Sequence, residues 1–173
     1  MYKTLITIVI PVKDKEETIN KFMAGNAKIL NNCSVIIIDT DGGEKLRKYG
    51  TYLKKDCSMI VARKIGFSLA KTPFILNLDA DNILPEYYVE DALDILQQFS
   101  NVAVVAIDYE TCLGHYGFGT SLWRTEVLKK LYDYEELKEG LCECTYMWRQ
   151  VLREHLRIET LPYRAVHLKV IKK

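Results

Sequence analysis

The sequence predicts an α/β domain built on a mostly parallel central sheet flanked by helices, with a short pair of strands at the C-terminus. Three observations lead there. Apolar, β-branched runs such as "LITIVIPV" and "VAVVAID" read as strands covered on both faces. Amphipathic stretches alternate with these runs from residue 5 to 108. Alternation of that kind argues parallel strands joined by right-handed crossovers. The chain has 173 residues, 49% of them hydrophobic, enough to enclose one core and too few for two comfortable domains.

The elements follow in order. Residues 5–12 form the first strand. "EETINKFMAGNAKIL" places Ile19, Phe22, Met23, Ile29 and Leu30 at helical spacing. "SVIIID" is the second strand, "SMIV" a short third strand and "ARKIGFSLAK" a helix behind it. "FILNLD" is the next strand. "PEYYVEDALDILQQF" is a helix with Pro85 in its first turn. After the strand ending at Asp108 the pattern loosens. "YETCLGHYGFG" reads as a loop, "SLWRTEVLKKL" and "CECTYMWRQVLREH" as helices, and "RIETLP" and "RAVHLKV" as short terminal strands. The whole is expected to be one unit over residues 1–173, with residues 1–108 and 109–173 as its two halves.

Composition narrows the classes. A net charge of +1 does not point to a nucleic-acid partner. The five cysteines show no C-x-x-C spacing, and the C-x-C of Cys142 and Cys144 has no second cluster to complete a zinc site. They read as reduced thiols of a cytoplasmic protein. The apolar N-terminal run stops at Pro11, too short for a membrane span. The basic stretch "KLRKYGTYLKK" reads as a solvated helix face, and is the candidate surface for any peripheral membrane contact.

Open α/β sheets bind ligands at the carboxyl ends of their strands. The side chains there are acidic: Asp39 with Asp41, Asp79 with Asp81, and Asp108. No G-x-G-x-x-G follows the first strand and no G-x-x-x-x-G-K-[ST] is present, which counts against hydride transfer and P-loop phosphoryl transfer. Paired carboxylates suit Mg²⁺ or Mn²⁺, which takes oxygen ligands and often bridges to substrate phosphates. In an extended chain, Asp79 and Asp81 would lie on one side. Trp123 and Trp148 read as core, and His115 and His155 as ordinary loop and helix residues.

The blocks "ITIVIPVKDKEETI", "IIIDTDGG", "VARKIGFSLAKTPFILNLDADN", "GTSLWRTEVLKKL", "CECTYMWRQVL" and "LRIETLPYRAVHL" stand in the order found in family 2 glycosyltransferases of the GT-A fold. The resemblance covers about residues 5 to 168. It implies metal-dependent transfer of a sugar from a nucleotide-sugar donor to an acceptor hydroxyl of unknown kind, with inversion, residues 1–108 forming the nucleotide-binding half and 109–173 the acceptor and catalytic half. It implies that Pro11, Val12 and Asp39 hold the base, that Arg63 lies near base or phosphate, and that Asp79 reaches ribose or metal. Asp81 is then a metal ligand, His167 completes the metal's coordination, and Glu143 is the catalytic base. "DTDGG" departs from the family's usual D-D-G-S or D-T-G-S, so Asp39 and Asp41 both stand as base contacts. Cys142–Glu143 replaces the usual E-D pair, with Arg149 supporting the register. Two rivals remain. One is a sugar-phosphate nucleotidyltransferase, which would want a glycine-rich basic loop where "IPVKDKEE" has none. The other is a catalytically silent nucleotide-sugar-binding module.

Overall fold

A computed structural model describes residues 2–13, 16–107, 117–137 and 142–168. The first strand, β1 (Ile6–Lys13), is buried from Ile6 through Val12. Its side chains alternate, sending Ile6, Ile8, Ile10 and Val12 into one core and Val9 into the other. Both faces are therefore apolar, as a central strand requires.

The first predicted helix is two. Helix α1 (Glu16–Gly25) ends where a Cβ on Gly25 would lie 2.5 Å from Ile83 Cδ1, and α2 (Ala27–Asn32) restarts beyond it. Between them Asn26 is buried; its Nδ2 donates to the Asn82 carbonyl at 2.9 Å and its Oδ1 accepts from Leu84 N–H at 3.1 Å. A buried amide with its hydrogen bonds made fixes the break.

Strand β2 (Ser34–Asp41) pairs parallel with β1. Only the first part of the basic stretch after it is helical, with Lys45, Arg47 and Lys48 exposed. It forms a 3₁₀ turn over Glu44–Tyr49 and then β3 (Thr51–Lys54), a parallel edge strand on β2. An edge strand buries little, so its sequence carries no apolar run. "SMIV" is correspondingly not the third strand. Ser58 Oγ accepts from Val61 N–H at 3.3 Å, the N-cap that starts α3 (Met59–Leu69).

Strand β4 (Phe74–Leu78) lies on the other side of β1, also parallel. A two-residue strand β5 (Asn82–Ile83), helix α4 (Tyr88–Gln98) and strand β6 (Val102–Ile107) follow. Residues 121–124, the start of a predicted helix, belong to strand β7 (Thr120–Arg124), antiparallel to both β4 and β6. Ser121, Leu122 and Trp123 are all buried because neighbours cover this strand on every side. Helix α5 (Thr125–Leu131), helix α6 (Tyr134–Leu137) and helix α7 (Glu143–Arg153) come next. His155 ends α7, with φ 56 and with Leu156 N–H returning to the Val151 carbonyl at 3.2 Å, a helix-stop geometry. The two terminal strands go to different sheets. β8 (Arg157–Leu161) closes the main sheet beside β6, and β9 (Val166–His167) pairs antiparallel with β5.

The main sheet has the order β3-β2-β1-β4-β7-β6-β8 and is mostly parallel. α1, α2 and α4 cover one face, and α3, α5 and α7 the other. Trp123 and Trp148 stack within the second core, ring centroids 5.5 Å apart. Among the described residues, no helix is long and apolar enough to cross a membrane.

Candidate functional site

The carboxyl ends of β1, β2 and β4 lie side by side because those strands are parallel neighbours. Val12 and Pro11 sit in register with Asp39 and Ile38. Val12 is buried, and its carbonyl accepts from the Thr40 hydroxyl at 2.8 Å. Asp39 is 1% exposed. One carboxylate oxygen accepts from Gly43 N–H at 2.9 Å and the other from the Tyr52 hydroxyl. Burial, and then the Asp39 charge, push the Tyr52 phenol up to about 12. Arg47 covers the Tyr52 ring, 5.0 Å from its centroid. Asp41 is exposed and lines, with Asp39, Lys13, Lys45 and Lys54, a cavity of about 620 Å³. Of the two candidates, Asp41 therefore faces open space while Asp39 has both oxygens engaged.

Asp79 and Asp81 do not share a side. The chain leaves β4 into a turn, with Asn82 N–H bonded to the Asp79 carbonyl at 3.1 Å, so the extended geometry ends before the pair. Asp79 turns toward α3, where Arg63 Nη2 donates to its Oδ1 at 2.5 Å. Asp81 turns the other way, toward the small sheet. Its Oδ2 lies 3.5 Å from His167 Nε2, and Leu168 N–H donates to its backbone carbonyl at 2.7 Å. The β5–β9 pairing, with Asn82 opposite His167, brings the imidazole there.

Arg63 is 6% exposed and carries a second carboxylate, donating through Nη1 to Glu143. Burial opposes its charge, but Asp79 and Glu143 outweigh that cost and its pKa rises. Its Nε is buried without an acceptor among the described residues. Glu143 is the first residue of α7, whose N-terminus favours a negative charge. It does not stand open in the cleft: its side chain is 18% exposed, and Oε1 accepts from the Tyr132 hydroxyl at 2.5 Å. At the N-cap just before it, Cys142 is exposed. Burial opposes its ionisation, but N–H groups of Thr145 and Cys144 overcome this and lower its pKa.

Sequence reasoning missed three contacts at the site. The Gly119 carbonyl accepts from Asp79 N–H at 2.9 Å, and a Cβ on Gly119 would lie 2.0 Å from Asp79 Oδ2. Its glycine-rich surroundings were the available signal. Tyr52 and Tyr132 gave none, since tyrosines in basic or helical stretches are common. Among the described residues no three His, Cys, Asp or Glu side chains gather as a metal cluster. Asp108, His115 and most of the predicted 109–119 loop lie outside the described residues.

Comparison with known proteins bears on the family and the fold. A family model described as Glycosyl transferase family 2 matches residues 7–156. No curated protein matches the sequence. Among solved structures, S. aureus TarS 1-349 is similar with a TM-score of 0.66 at 18% identity, covering 92% of this chain and 60% of that one. The mannosyltransferase PcManGT from Pyrobaculum calidifontis, in complex with GDP-Man and Mn²⁺, is similar with a TM-score of 0.74 at 12% identity. There the coverage is 99% of this chain and 59% of that one. The chain spans less than two thirds of either, and at such identities the likeness is one of fold, here GT-A-like.

Proposed function

The chain belongs to glycosyl transferase family 2, and from that premise we propose that it transfers a sugar from a nucleoside-diphosphate donor to an acceptor hydroxyl, with inversion. One observation carries the reading. Arg63 joins Asp79, at the turn after β4, to Glu143, at the start of a helix 80 positions along the chain from Arg63. The residue expected near the donor and the residue expected to take the acceptor's proton thus share one guanidinium.

The donor's base would occupy the cavity beside Asp41 and Asp39, with Tyr52 holding Asp39 in place. Arg63 would contact the diphosphate, its delocalised charge suiting phosphate oxygens. Glu143 would accept the proton of the acceptor hydroxyl as the acceptor oxygen bonds to the anomeric carbon. The bond from that carbon to the diphosphate breaks on the opposite face, and the electron pair leaves with the nucleoside diphosphate.

Asp81 and His167, 3.5 Å apart, would hold Mn²⁺ or Mg²⁺ through a carboxylate oxygen and an imidazole nitrogen. Such an ion would offset the negative charge gathering on the departing diphosphate. Asp79 is held by Arg63 and would join only on releasing it.

The silent binding module remains as a second reading, favoured by the engagement of both Glu143 oxygens. Turnover separates the two. A panel of nucleoside-diphosphate sugars with Mn²⁺ should show hydrolysis or transfer by the wild-type protein, cut roughly 10²–10⁴-fold in Glu143→Gln with donor binding intact. Donor binding without turnover would select the silent module.

A further inference from the structure

We propose that Tyr132 is a positioning residue for Glu143, its hydroxyl serving the carboxyl in both protonation states. The inference rests on the reading of Glu143 as the proton acceptor. Tyr132 is 1% exposed and stands at the end of α5. Its ring is fixed, stacked on Phe118 at 5.9 Å and edge-on to Phe67 at 5.0 Å. Only the hydroxyl torsion is free to change.

That hydroxyl faces two acceptors and has one proton. Glu143 Oε1 lies at 2.5 Å and the Ile60 carbonyl at 3.1 Å. While Glu143 is ionised, the phenol donates to it, because a carboxylate is the stronger acceptor. Once Glu143 carries a proton on Oε1, the directions reverse. The carboxyl donates to the phenol oxygen, and the phenol turns its own hydrogen to the Ile60 carbonyl. The carboxyl, the phenol and the Ile60 carbonyl are then all hydrogen-bonded, and a hydroxyl can donate and accept in this way. No proton leaves the tyrosine. Burial, and then the Glu143 charge, hold the Tyr132 phenol far above its ordinary range, so it stays protonated throughout.

The charged groups around the pair come from each element packed on it. Arg63 on α3 binds Glu143 from the other oxygen, with Asp79 behind it. Lys64, also on α3, donates to the Tyr132 carbonyl at 2.9 Å. Cys142 and Cys144 flank Glu143 on its own helix. Of these, only Glu143 bonds the hydroxyl.

The test has a ligand-free arm and a kinetic arm. In protein labelled with ¹³Cζ-tyrosine, the Tyr132 resonance is the one missing in Tyr132→Phe. Acidification should move it in a single step as the hydroxyl turns, and Glu143→Gln should abolish that step. If Tyr132→Phe fails to fold, site-specific difluorotyrosine at position 132 keeps the ring and assigns the signal. In the kinetic arm, Mn²⁺-dependent hydrolysis of UDP-glucose, UDP-N-acetylglucosamine and GDP-mannose is followed against pH. Tyr132→Phe should move the acid side of the kcat profile up by roughly one pH unit with donor KM unchanged, since the bond lost is stronger to the ionised form. A resonance indifferent to pH, or a step that persists in Glu143→Gln, overturns the proposal while leaving the Glu143 reading intact. Glu143→Gln with wild-type turnover, or a wild-type protein that turns over none of the donors, overturns both.

Discussion

Replacing Arg63 with methionine should destabilise the protein by about 3 kcal/mol at neutral pH. The substitution keeps length and helix propensity but removes the charge that two carboxylates share. Breaking a buried ion pair costs roughly 3–5 kcal/mol because the remaining charge is left uncompensated. Here two charges are left, but Asp79 and Glu143 keep 28% and 18% of their side-chain surface exposed, which places the cost at the lower end. For a chain of 173 residues this corresponds to a fall in melting temperature of about 6–12 °C. Thermal unfolding followed by circular dichroism measures it. Two further comparisons show that the cost is electrostatic. The gap from wild type should narrow in acid, where the carboxylates are neutralised. Arg63→Met/Glu143→Gln should recover about 1 kcal/mol or more over Arg63→Met, a coupling expected only between groups in contact. A fall of less than about 2 °C, or strict additivity in the double variant, would refute the shared-guanidinium arrangement.

Other outcomes follow from single contacts. Asp81→Ala should stay folded and lose the thermal stabilisation that Mn²⁺ with nucleoside diphosphate gives wild type, expected at about 2.7 kcal/mol at a hundredfold excess over Kd; an unchanged Mn²⁺ titration would count against it. Tyr88 donates to the Val105 carbonyl at 2.7 Å and accepts from Leu122 N–H at 3.1 Å, so Tyr88→Phe should cost about 1–3 kcal/mol in urea unfolding. Tyr52 titrates near 12 when folded against 10 in the unfolded chain, so its contribution is present below pH 10 and is lost as pH rises toward 12; Tyr52→Phe should flatten that alkaline decline. Iodoacetamide near neutral pH should label Cys142 well before Cys33, whose thiol burial pushes up to about 12, and peptide mass mapping reads the order.

The strands buried on both faces were legible because their composition is set by their position. β1, β2, β4 and β6 lie inside the sheet, and the buried polar side chains there are Thr7, Asn77 and, at the ligand-facing end of β2, Asp39. Elements at the margin were not legible by the same rule. β3 at the edge needs only half a buried face, so Thr51–Lys54 reads as solvent-facing. β7 failed for the opposite reason. It is antiparallel in a parallel context and runs directly into α5, so its apolar residues merge with the helical pattern that follows.

For the site, residue types were readable and most pairings were not; the approach of His167 to Asp81 is the exception, and it came from the family resemblance. A carboxylate at a strand end announces polar chemistry, but its partner is chosen by tertiary geometry that sequence spacing does not encode. The D-x-D pair shows this most plainly. Two residues apart, Asp79 and Asp81 would point together on a strand, yet a single turn hands one to α3 and the other to the β5–β9 sheet. The consequence is chemical. Arg63 neutralises Asp79 and Glu143 with one charge, so anything that draws Arg63 onto a phosphate leaves both carboxylates with less compensation. Asp79 then becomes a better ligand for a cation, and Glu143 a better acceptor for a proton. Among the described residues, Tyr132 is the partner that remains on Glu143 through that exchange, since its hydroxyl bonds the oxygen that Arg63 does not.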